Sequence, residues 1–469
     1  MHEFNLSFHE GQNTGTLADR RAAGRALRHK VPRSSHAEWA VTADRPDPLS
    51  LLEEQNRSRL AHLVPLRYAR MAASPFTFLR GSAIVMAQDL AATPVTGIQV
   101  QICGDAHLSN FGIYATPERN QVFDVNDFDE TLPGPWEWDL KRLVAGIVVA
   151  GRTNGFPATT NRRAVLNAIQ SYREHMWKYS EMHHIDVWYS RIDYASSLQF
   201  VRRTFRWYID KQREKSRRRS SLQVFPRLAM QVDGQYQIKD DPPLIAHLDD
   251  EELAYQLRGL VEAYRPTVQE DRRVLLSKYR CVDLAQKVVG VGSVGTRCYV
   301  VLLLGNDSGD PLLLQIKQAQ PSVLERHLGP SAYPNHAQRV VCGQRLMQAA
   351  SDLFLGWTRL DTTDYYIRQL RDMKLSVNLE TLIPEGFIEY CRFCGWALAR
   401  AHARSGDPAQ ISGYLGRSDV FDRALAAFAE TYADQTERDY AALVAAIQSN
   451  QAVQGILHEI EEEERISSP

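Results

Sequence analysis

The spacing of apolar positions separates the chain into predicted strands and predicted helices. Short apolar runs bounded by turn residues predict strands at 111–114, 121–123, 298–304 and 311–317. Two further strands are predicted within 354–357 and 365–369. Apolar residues that recur every three or four positions predict helices, at 47–63, 78–90, 139–151, 162–179, 249–264, 322–328, 336–350 and 418–447. This mixture of elements predicts an α+β fold.

Acidic and amide side chains follow the first strands, within residues 101–141. Asp105, His107 and Asn110 precede the strand at 111–114, and an acidic cluster at 124–130 ends the next strand. A hairpin that presents Asp and Asn on one side and Asp on the other can hold a divalent cation, because hard cations prefer oxygen ligands. One Asp then remains to act as a base. The alternative is an ordinary turn, since Asp and Asn side chains bond their own backbone.

A glycine-rich turn lies between two apolar strands in the stretch 283–322. Its residues are Gly290, Gly292, Ser293 and Gly295, and Lys317 lies on the strand that follows. Glycines let backbone amides approach phosphates with no Cβ in the way. A lysine can reach the same phosphates as a point charge. The stretch is neither a dinucleotide fingerprint, which needs a helix after the glycines, nor a Walker A motif.

The acidic stretch resembles the catalytic core of the aminoglycoside phosphotransferase and choline kinase branch of the protein-kinase-like superfamily. Residues 103–110, CGDAHLSN, are similar to its H-G-D-x-H-x-x-N loop, with Cys103 in place of the first His. The strand that ends in Asp-Phe-Asp at 127–129 and the segment 133–140 also resemble that branch. The resemblance implies Asp105 as catalytic base and His107 as a prop of the loop. It implies an Mg²⁺ site, whose candidate residues are Asn110, Asp127 and Asp129, with Asp124 nearby.

The glycine turn with its lysine resembles the glycine-rich loop and ATP-binding lysine of kinases. The resemblance implies that Gly290, Gly292, Ser293, Gly295 and Lys317 bind ATP. Glu325 is the candidate partner of the lysine, although its position fits only loosely. Residues 369–372 would border the adenine. ATP and Mg²⁺ are therefore the expected cofactors.

The order of these motifs is unusual, because the catalytic loop precedes the glycine turn. Circular permutation explains this order, and it is tolerated when chain termini lie close together on the surface. The expected fold is bilobal and kinase-like, circularly permuted, with additional helices at both termini. Its predicted parts are an N-terminal arm with helices (1–95), a large catalytic lobe (96–275), a small ATP-binding lobe (276–372) and a C-terminal helical region (373–469). An unpermuted alternative uses residues 398–407, which end in Asp407, as the catalytic loop.

The expected function is ATP- and Mg²⁺-dependent phosphoryl transfer to a hydroxyl of a small molecule or protein. Two alternatives remain. One is a nucleotide-binding pseudokinase that regulates a partner, which Cys103 leaves open. The other is a metal-dependent nucleotidyl transferase or hydrolase using the same carboxylates. The whole chain also resembles a bacterial family known mainly as a domain of unknown function. This resemblance does not identify a substrate.

Composition narrows the class of protein further. The chain has 469 residues, 44% of them hydrophobic and 24% charged, as in soluble globular proteins of more than one structural unit. A formal net charge of −1 gives no overall field to attract nucleic acid, which is not an expected partner. No apolar run is long enough to span a membrane, and the N-terminus lacks the apolar core of a signal peptide. A cytoplasmic protein is expected, with its oligomeric state left open.

Four further sequence features each allow two interpretations, one functional or specific and one purely structural. Cys391 and Cys394 are expected to be buried thiols rather than zinc ligands. The basic segment 201–219 is expected to be a solvated helix or insertion rather than a site for RNA or an acidic partner. The arginines at 67, 70 and 80 are expected to form salt bridges rather than an anion clamp. Residues 1–45 form either a poorly packed arm or a segment that wraps the body.

Overall fold

The computed structural model describes residues 15–193, 210–211, 214–215, 221–307, 309–370, 373–448, 450 and 453–456. Most of the basic segment 201–219 lies outside the described residues, as do residues 371–372 of the expected adenine border. The described chain is a mixed α+β structure, as predicted. No helix in this part of the chain is both long enough and apolar enough to cross a membrane.

The N-terminal part is helical and wraps the body. Its helices are α1 (Leu17–Ala26), α2 (Pro48–Asn56), α3 (Val64–Ala72), α4 (Pro75–Gly81) and α5 (Ala83–Leu90). From 15 to 45 the chain is anchored by arginines, as where Arg28 donates to the carbonyl oxygens of Gly413 and Tyr414. These contacts favour the wrapping alternative for residues 15–45, whereas residues 1–14 of the predicted segment lie outside the described residues.

The single helix predicted over 78–90 is wrong, because the chain breaks at Ser82. The Ser82 backbone leaves the helical region, with φ −115° and ψ 39°. Its hydroxyl donates to the carbonyl of Phe78 at 2.8 Å, which replaces a backbone hydrogen bond. Helix α4 begins with a capping box at Ser74 followed by proline at the first position. As a result α4 is a separate short helix whose end lies beside the candidate site.

Two small sheets carry the acidic stretch. Strands β1 (Gln99–Ile102) and β4 (Leu132–Pro135) pair antiparallel. Strands β2 (Phe111–Ala115) and β3 (Gln121–Val125) form the predicted hairpin, and the short β13 (Leu375–Ser376) pairs with β2. The site residues lie at the ends of these strands.

Helices packed around α6 (Trp136–Thr153) form the larger core. Helix α6 is buried on all sides from Trp136 to Gly151, so it is the central helix of this part. The other helices of this part are α7 (Ala158–Glu181), α8 (His184–Tyr189), α14 (Pro384–Ser405), α15 (Pro408–Leu415) and α16 (Val420–Ile447). The helices predicted at 139–151, 162–179 and 418–447 are confirmed by α6, α7 and α16.

The glycine-rich stretch belongs to a six-stranded antiparallel sheet. Its strands are β7 (Ile245–Ala246), β8 (Arg280–Lys287), β9 (Cys298–Leu304), β10 (Pro311–Ala319), β11 (Gly356–Leu360) and β12 (Thr363–Gln369). Their order across the sheet is β11-β12-β10-β9-β8-β7. The glycine turn joins β8 to β9, as predicted.

Short helices and one hairpin complete the part of the chain that contains this sheet. They are α9 (Ser221–Leu228), β5 (Ala229–Val232), β6 (Gln235–Ile238), α10 (Glu251–Ala263), α11 (Glu270–Leu276), α12 (Glu325–Leu328) and α13 (His336–Met347). Helix α13 follows β10 in the chain and packs against β10, β11 and β12. It thereby lies between the sheet and the acidic stretch.

Candidate active site

The loop that carries Asp105 is held by a buried carboxylate, Asp139 on α6. The backbone N–H of Cys103 donates to Asp139 Oδ2 at 2.8 Å and that of Gly104 donates to Asp139 Oδ1 at 2.9 Å. Gly104 has a φ of +80°, and a Cβ there would lie 2.4 Å from the Glu130 carbonyl oxygen. The loop conformation therefore requires glycine at 104 and an acceptor at 139.

Asp139 is in turn oriented by His402, which lies within the stretch 398–407 of the unpermuted alternative. His402 is fully buried, with Nε2 3.2 Å from Asp139 Oδ2 and Nδ1 2.9 Å from the Tyr172 hydroxyl. The local sequence around 402 carries no sign of this contact, because its partners lie on other helices. His402 on α14 therefore supports the loop that carries Asp105.

Asp105 makes one strong contact and keeps part of its carboxylate open. Arg142 Nε donates to Asp105 Oδ1 at 2.8 Å, and the Asp105 side chain retains 17% of its surface. Asn110 Nδ2 donates to the Asp105 carbonyl at 2.8 Å, which closes the loop. His107 lies with Nε2 3.6 Å from Asp105 Oδ2, and burial lowers its pKa to about 4. A neutral, buried His107 fits the predicted role of a prop.

Asp127 and Asp129 follow β3 and approach Lys317 on β10. The Lys317 Nζ lies 3.9 Å from Asp127 Oδ2 and forms a close ion pair with Asp129 Oδ2. Burial opposes ionisation of Asp127, but the attraction of Lys317 and nearby cations outweighs it and lowers the pKa of Asp127 to about 2. Burial disfavours the Lys317 ammonium, yet the same two carboxylates raise the pKa of Lys317. Asp127 and Lys317 are therefore both charged near neutral pH.

The expected pair between Lys317 and Glu325 does not form. Glu325 Oε1 lies 3.7 Å from Arg339 Nε and 3.7 Å from His336 Nδ1 on α13. Asp129 takes the place of this partner, and the Tyr366 hydroxyl donates to its second oxygen at 2.7 Å. The prediction failed because Glu325 was chosen by its distance along the chain, whereas the second Asp of the Asp-Phe-Asp motif was the available signal.

Arg339 on α13 holds the same acidic segment, a role that no local sequence pattern indicates. Its guanidinium donates to the carbonyl oxygens of Thr131, Asp129 and Gln320 at 2.7, 2.8 and 2.8 Å. These contacts join the large sheet, helix α13 and the segment after β3. The position of the acidic segment therefore depends on the packing of α13.

The glycine turn is fixed by the N-terminal helices through its carbonyl groups. Arg70 donates to the Gly290 carbonyl at 2.8 Å, and Arg59 donates to the Val294 carbonyl. The backbone N–H of Leu60 donates to the Gly295 carbonyl at 2.8 Å. Among the described residues Arg70 forms no ion pair, and its guanidinium instead holds the glycine turn at the Gly290 carbonyl. Arg67 is also structural, since it is fully buried and bonds Gln55, Asn56 and the Gly81 carbonyl.

One cavity of about 580 Å³ brings most of these residues together. Its lining includes the predicted residues Asp105, His107, Asn110, Asp127, Asp129, Gly290, Gly292 and Ser293. Glu130, Arg59 and Arg80 also line it. Gly295, Lys317 and Glu325 do not line it, although Lys317 contacts two carboxylates that do. Burial raises the pKa of Glu130 to about 7, so this carboxyl is only partly ionised near neutral pH.

The donor atoms at the cavity suit Mg²⁺ only if a phosphate ligand is present. Asp129 is engaged by Lys317 and Tyr366, which leaves the Asp127 carboxylate and the Asn110 amide as oxygen donors. Among the described residues, no group of three or more His, Cys, Asp or Glu side chains is arranged to hold a metal ion. Mg²⁺ typically takes one or two carboxylates, with substrate phosphates and water completing its shell. Asp127 and Asn110 fit that pattern.

Four other residues named from the sequence have structural roles. Asp124 is buried and pairs with Arg400 at 2.6 Å, and it does not line the cavity. Asp407 of the unpermuted alternative caps α15 through the backbone N–H groups of Ala409 and Gln410, and it pairs with Arg20. Cys391 and Cys394 lie buried within α14 with free thiols.

Comparison with known proteins adds a family but no characterised relative. Comparisons with curated proteins and with solved structures returned no match. Residues 59–446 match the model of the family described as "Uncharacterized protein conserved in bacteria (DUF2252)". This match spans both the acidic stretch and the glycine turn with its lysine. The chain therefore belongs to this bacterial family.

Proposed function

We propose that the protein is an ATP- and Mg²⁺-dependent phosphotransferase with a bilobal, circularly permuted kinase-like fold. The observation that carries this proposal is the convergence of two distant segments on one cavity. Asp105, Asn110 and Asp127 come from the first segment, and Gly290 and Gly292 from the second. Catalysis of phosphoryl transfer needs mainly positioning and charge neutralisation, and this cavity offers the groups for both.

The connectivity of the large sheet supports the kinase-like part of the proposal. The glycine turn joins β8 to β9, Lys317 lies on the next antiparallel neighbour β10, and helix α13 follows. Kinases place their phosphate-binding lysine on the third strand and a helix after it. The departure here is that an Asp from the catalytic segment, not a Glu from the helix, pairs with the lysine. This pairing links the two segments directly.

The order of the segments supports the permuted part. The catalytic loop and the metal-binding candidates precede the glycine turn in the chain, whereas Asp407, the candidate of the unpermuted order, caps a helix. Cys103 replaces a His but contributes its backbone N–H to Asp139. The position of Asp105 therefore depends on the backbone at 103 rather than on its side chain.

Several residues at the cavity have roles in the proposed reaction. Asp105, oriented by Arg142, accepts the proton of the acceptor hydroxyl. The acceptor oxygen forms a bond to the terminal phosphorus of ATP while the bond from that phosphorus to the bridging oxygen breaks, and ADP leaves. The amides of the glycine turn hold the phosphates, and Lys317, which does not line the cavity itself, positions Asp127 and Asp129 beside them. Asp127 and Asn110 would hold Mg²⁺, which when bound neutralises phosphate charge.

The test is a screen of hydroxyl-bearing metabolites and proteins with ATP and Mg²⁺, read by ADP release. Release of ADP that depends on one acceptor supports the proposal. Release of AMP or an adenylylated product identifies a nucleotidyl transferase instead. ATP that raises the melting temperature without being consumed identifies a pseudokinase. A cytoplasmic location, where ATP is available and free thiols such as the six cysteines persist, is part of the proposal.

A further inference from the structure

Arg80 enters the cavity from the end of α4 and lies against the glycine turn. A Cβ built on Gly292 would lie 3.2 Å from the Arg80 carbonyl oxygen, so the two backbones are neighbours. The Arg80 side chain lines the cavity together with Asp105 and Asp127. The resemblance to kinases did not assign this position, and the sequence favoured a salt bridge there.

The backbone on both sides of Arg80 is fixed by buried arginines. Arg142 donates to the Leu79 carbonyl at 2.6 Å with one nitrogen, while another nitrogen holds Asp105. Arg67 donates to the Gly81 carbonyl at 2.8 Å. The end of α4 is thereby tied to the same residue that orients the candidate base. Such a fixed backbone limits the positions that the Arg80 guanidinium can reach.

The Arg80 guanidinium is a cation without a counter-charge in direct contact. Arg142 pairs with Asp105 and Lys317 pairs with Asp129, but in the described part of the chain Arg80 forms no ion pair. Its Nε is buried and has no hydrogen-bond partner among the residues that the structure describes. A buried donor left unpaired is costly, so a built site of this kind calls for an acceptor that arrives with the ligand.

We infer that Arg80 binds the terminal phosphate of the nucleoside triphosphate. This inference rests on the proposed function and adds one residue to it. The space between a proton-accepting Asp105 and a metal-binding Asp127 is where the transferred phosphoryl group lies in such reactions. Arg80 borders that space and the glycine turn at once, and a guanidinium matches phosphate oxygens with two parallel hydrogen bonds. The N-terminal helices thus supply a phosphate-binding side chain, Arg80, as well as Arg70, which holds the glycine turn.

The experiment compares two nucleotides that differ only in the terminal phosphate. Isothermal titration calorimetry with Mg²⁺ measures Kd for ADP and for the non-hydrolysable β,γ-imido analogue of ATP, with the wild type, Arg80→Gln and Arg80→Lys. In Arg80→Gln the Kd of the imido analogue should rise about tenfold or more while that of ADP changes by less than about twofold. Arg80→Lys keeps the charge but loses the fork, so its Kd should lie between.

Arg57→Gln is the matched control, since Arg57 is exposed and does not line the cavity. It should leave both affinities unchanged. Equal weakening of ADP and of the imido analogue in Arg80→Gln would overturn the inference, and so would no weakening of either. A wild type that binds neither nucleotide would instead remove the proposed function itself. If Arg80→Gln does not fold, the ratio of the two Kd values in Arg80→Lys decides: a ratio equal to that of the wild type overturns the inference.

Discussion

Lys317 and Asp129 form an ion pair across 188 residues of sequence, and the pair joins the large sheet to the acidic segment. The Lys317 side chain is 3% exposed and that of Asp129 30% exposed. The Tyr366 hydroxyl completes the cluster. Asp129 thus takes the role that was expected of Glu325, as the carboxylate partner of Lys317. The pair therefore ties the position of the lysine to the conformation of the segment that carries Asp127.

Asp129→Asn should destabilise the fold because it leaves the buried Lys317 ammonium with a single, more distant carboxylate. Removing one partner of a fully buried pair costs about 3–5 kcal/mol, and the exposure of Asp129 reduces that to about 1–3 kcal/mol. Equilibrium urea unfolding measures the loss. Tyr366→Phe, which removes only a hydrogen bond to the same carboxylate, should cost about 1 kcal/mol. Equal losses in the two variants would argue against a structural ion pair.

Asp105→Asn should abolish phosphoryl transfer while leaving nucleotide binding nearly intact. The amide cannot accept the acceptor proton, so kcat should fall about 10²–10⁴-fold. Steady-state ADP release measures the rate, and calorimetry with the imido analogue of ATP measures binding. Asp186→Asn, at an exposed position, is the matched control. Turnover of Asp105→Asn at the wild-type rate would rule out Asp105 as the general base.

Arg70→Ala should loosen the glycine turn by removing the hydrogen bond to the Gly290 carbonyl. A turn that samples more conformations presents its amides less often to the phosphates, so KM for ATP should rise about three- to tenfold. The value of kcat should change little, because Asp105 is held from other elements. Arg57→Ala, an exposed arginine of the same N-terminal part, should leave KM unchanged. A fall in kcat with constant KM would contradict the role of Arg70 in holding the glycine turn.

Local patterns predicted the elements well and their mutual contacts poorly. The hairpin of β2 and β3, the glycine turn before β9 and the long helices follow from apolar spacing and turn residues, which act over a few positions. The break at Ser82 was missed because a side-chain hydrogen bond outweighs a continuous apolar pattern. The partner of Lys317 and the contacts of Arg59 and Arg70 with the glycine turn depend on tertiary packing between segments far apart in sequence, which no local pattern contains.

Asp139→Asn should disturb the loop that carries Asp105 although Asp139 does not line the cavity. Its carboxylate accepts the backbone N–H groups of Cys103 and Gly104, one on each oxygen. An amide offers one acceptor and directs an NH₂ group at the other N–H, which leaves a buried donor unpaired at a cost of about 1–3 kcal/mol. Urea unfolding should show this loss, and kcat should fall at saturating ATP. The variant His402→Gln keeps a donor toward Asp139 and should show a smaller loss of both; a larger one would contradict this assignment.

His247 should make stability depend on pH at the far side of the large sheet. Its ring lies between two carboxylates, with Nδ1 2.8 Å from Asp240 Oδ1 and Nε2 3.0 Å from Asp283 Oδ2. Partial burial disfavours the charged ring, but the hydrogen bonds and attraction of Asp283 and Asp240 outweigh it and raise the pKa of His247 above 6.5. A raised folded-state pKa means that the folded protein binds the proton more tightly than the unfolded chain does. The stabilisation is therefore complete below pH 6.5 and is lost as the pH rises through the folded-state pKa.

His247→Gln should then lower the free energy of unfolding at about pH 6 and change it much less at about pH 9. Urea unfolding of wild type and variant at both pH values measures this difference, with His62→Gln, whose ring makes no ion pair in the described chain, as the control. A loss that is the same at both pH values would show that the neutral ring, not its charge, holds the two carboxylates.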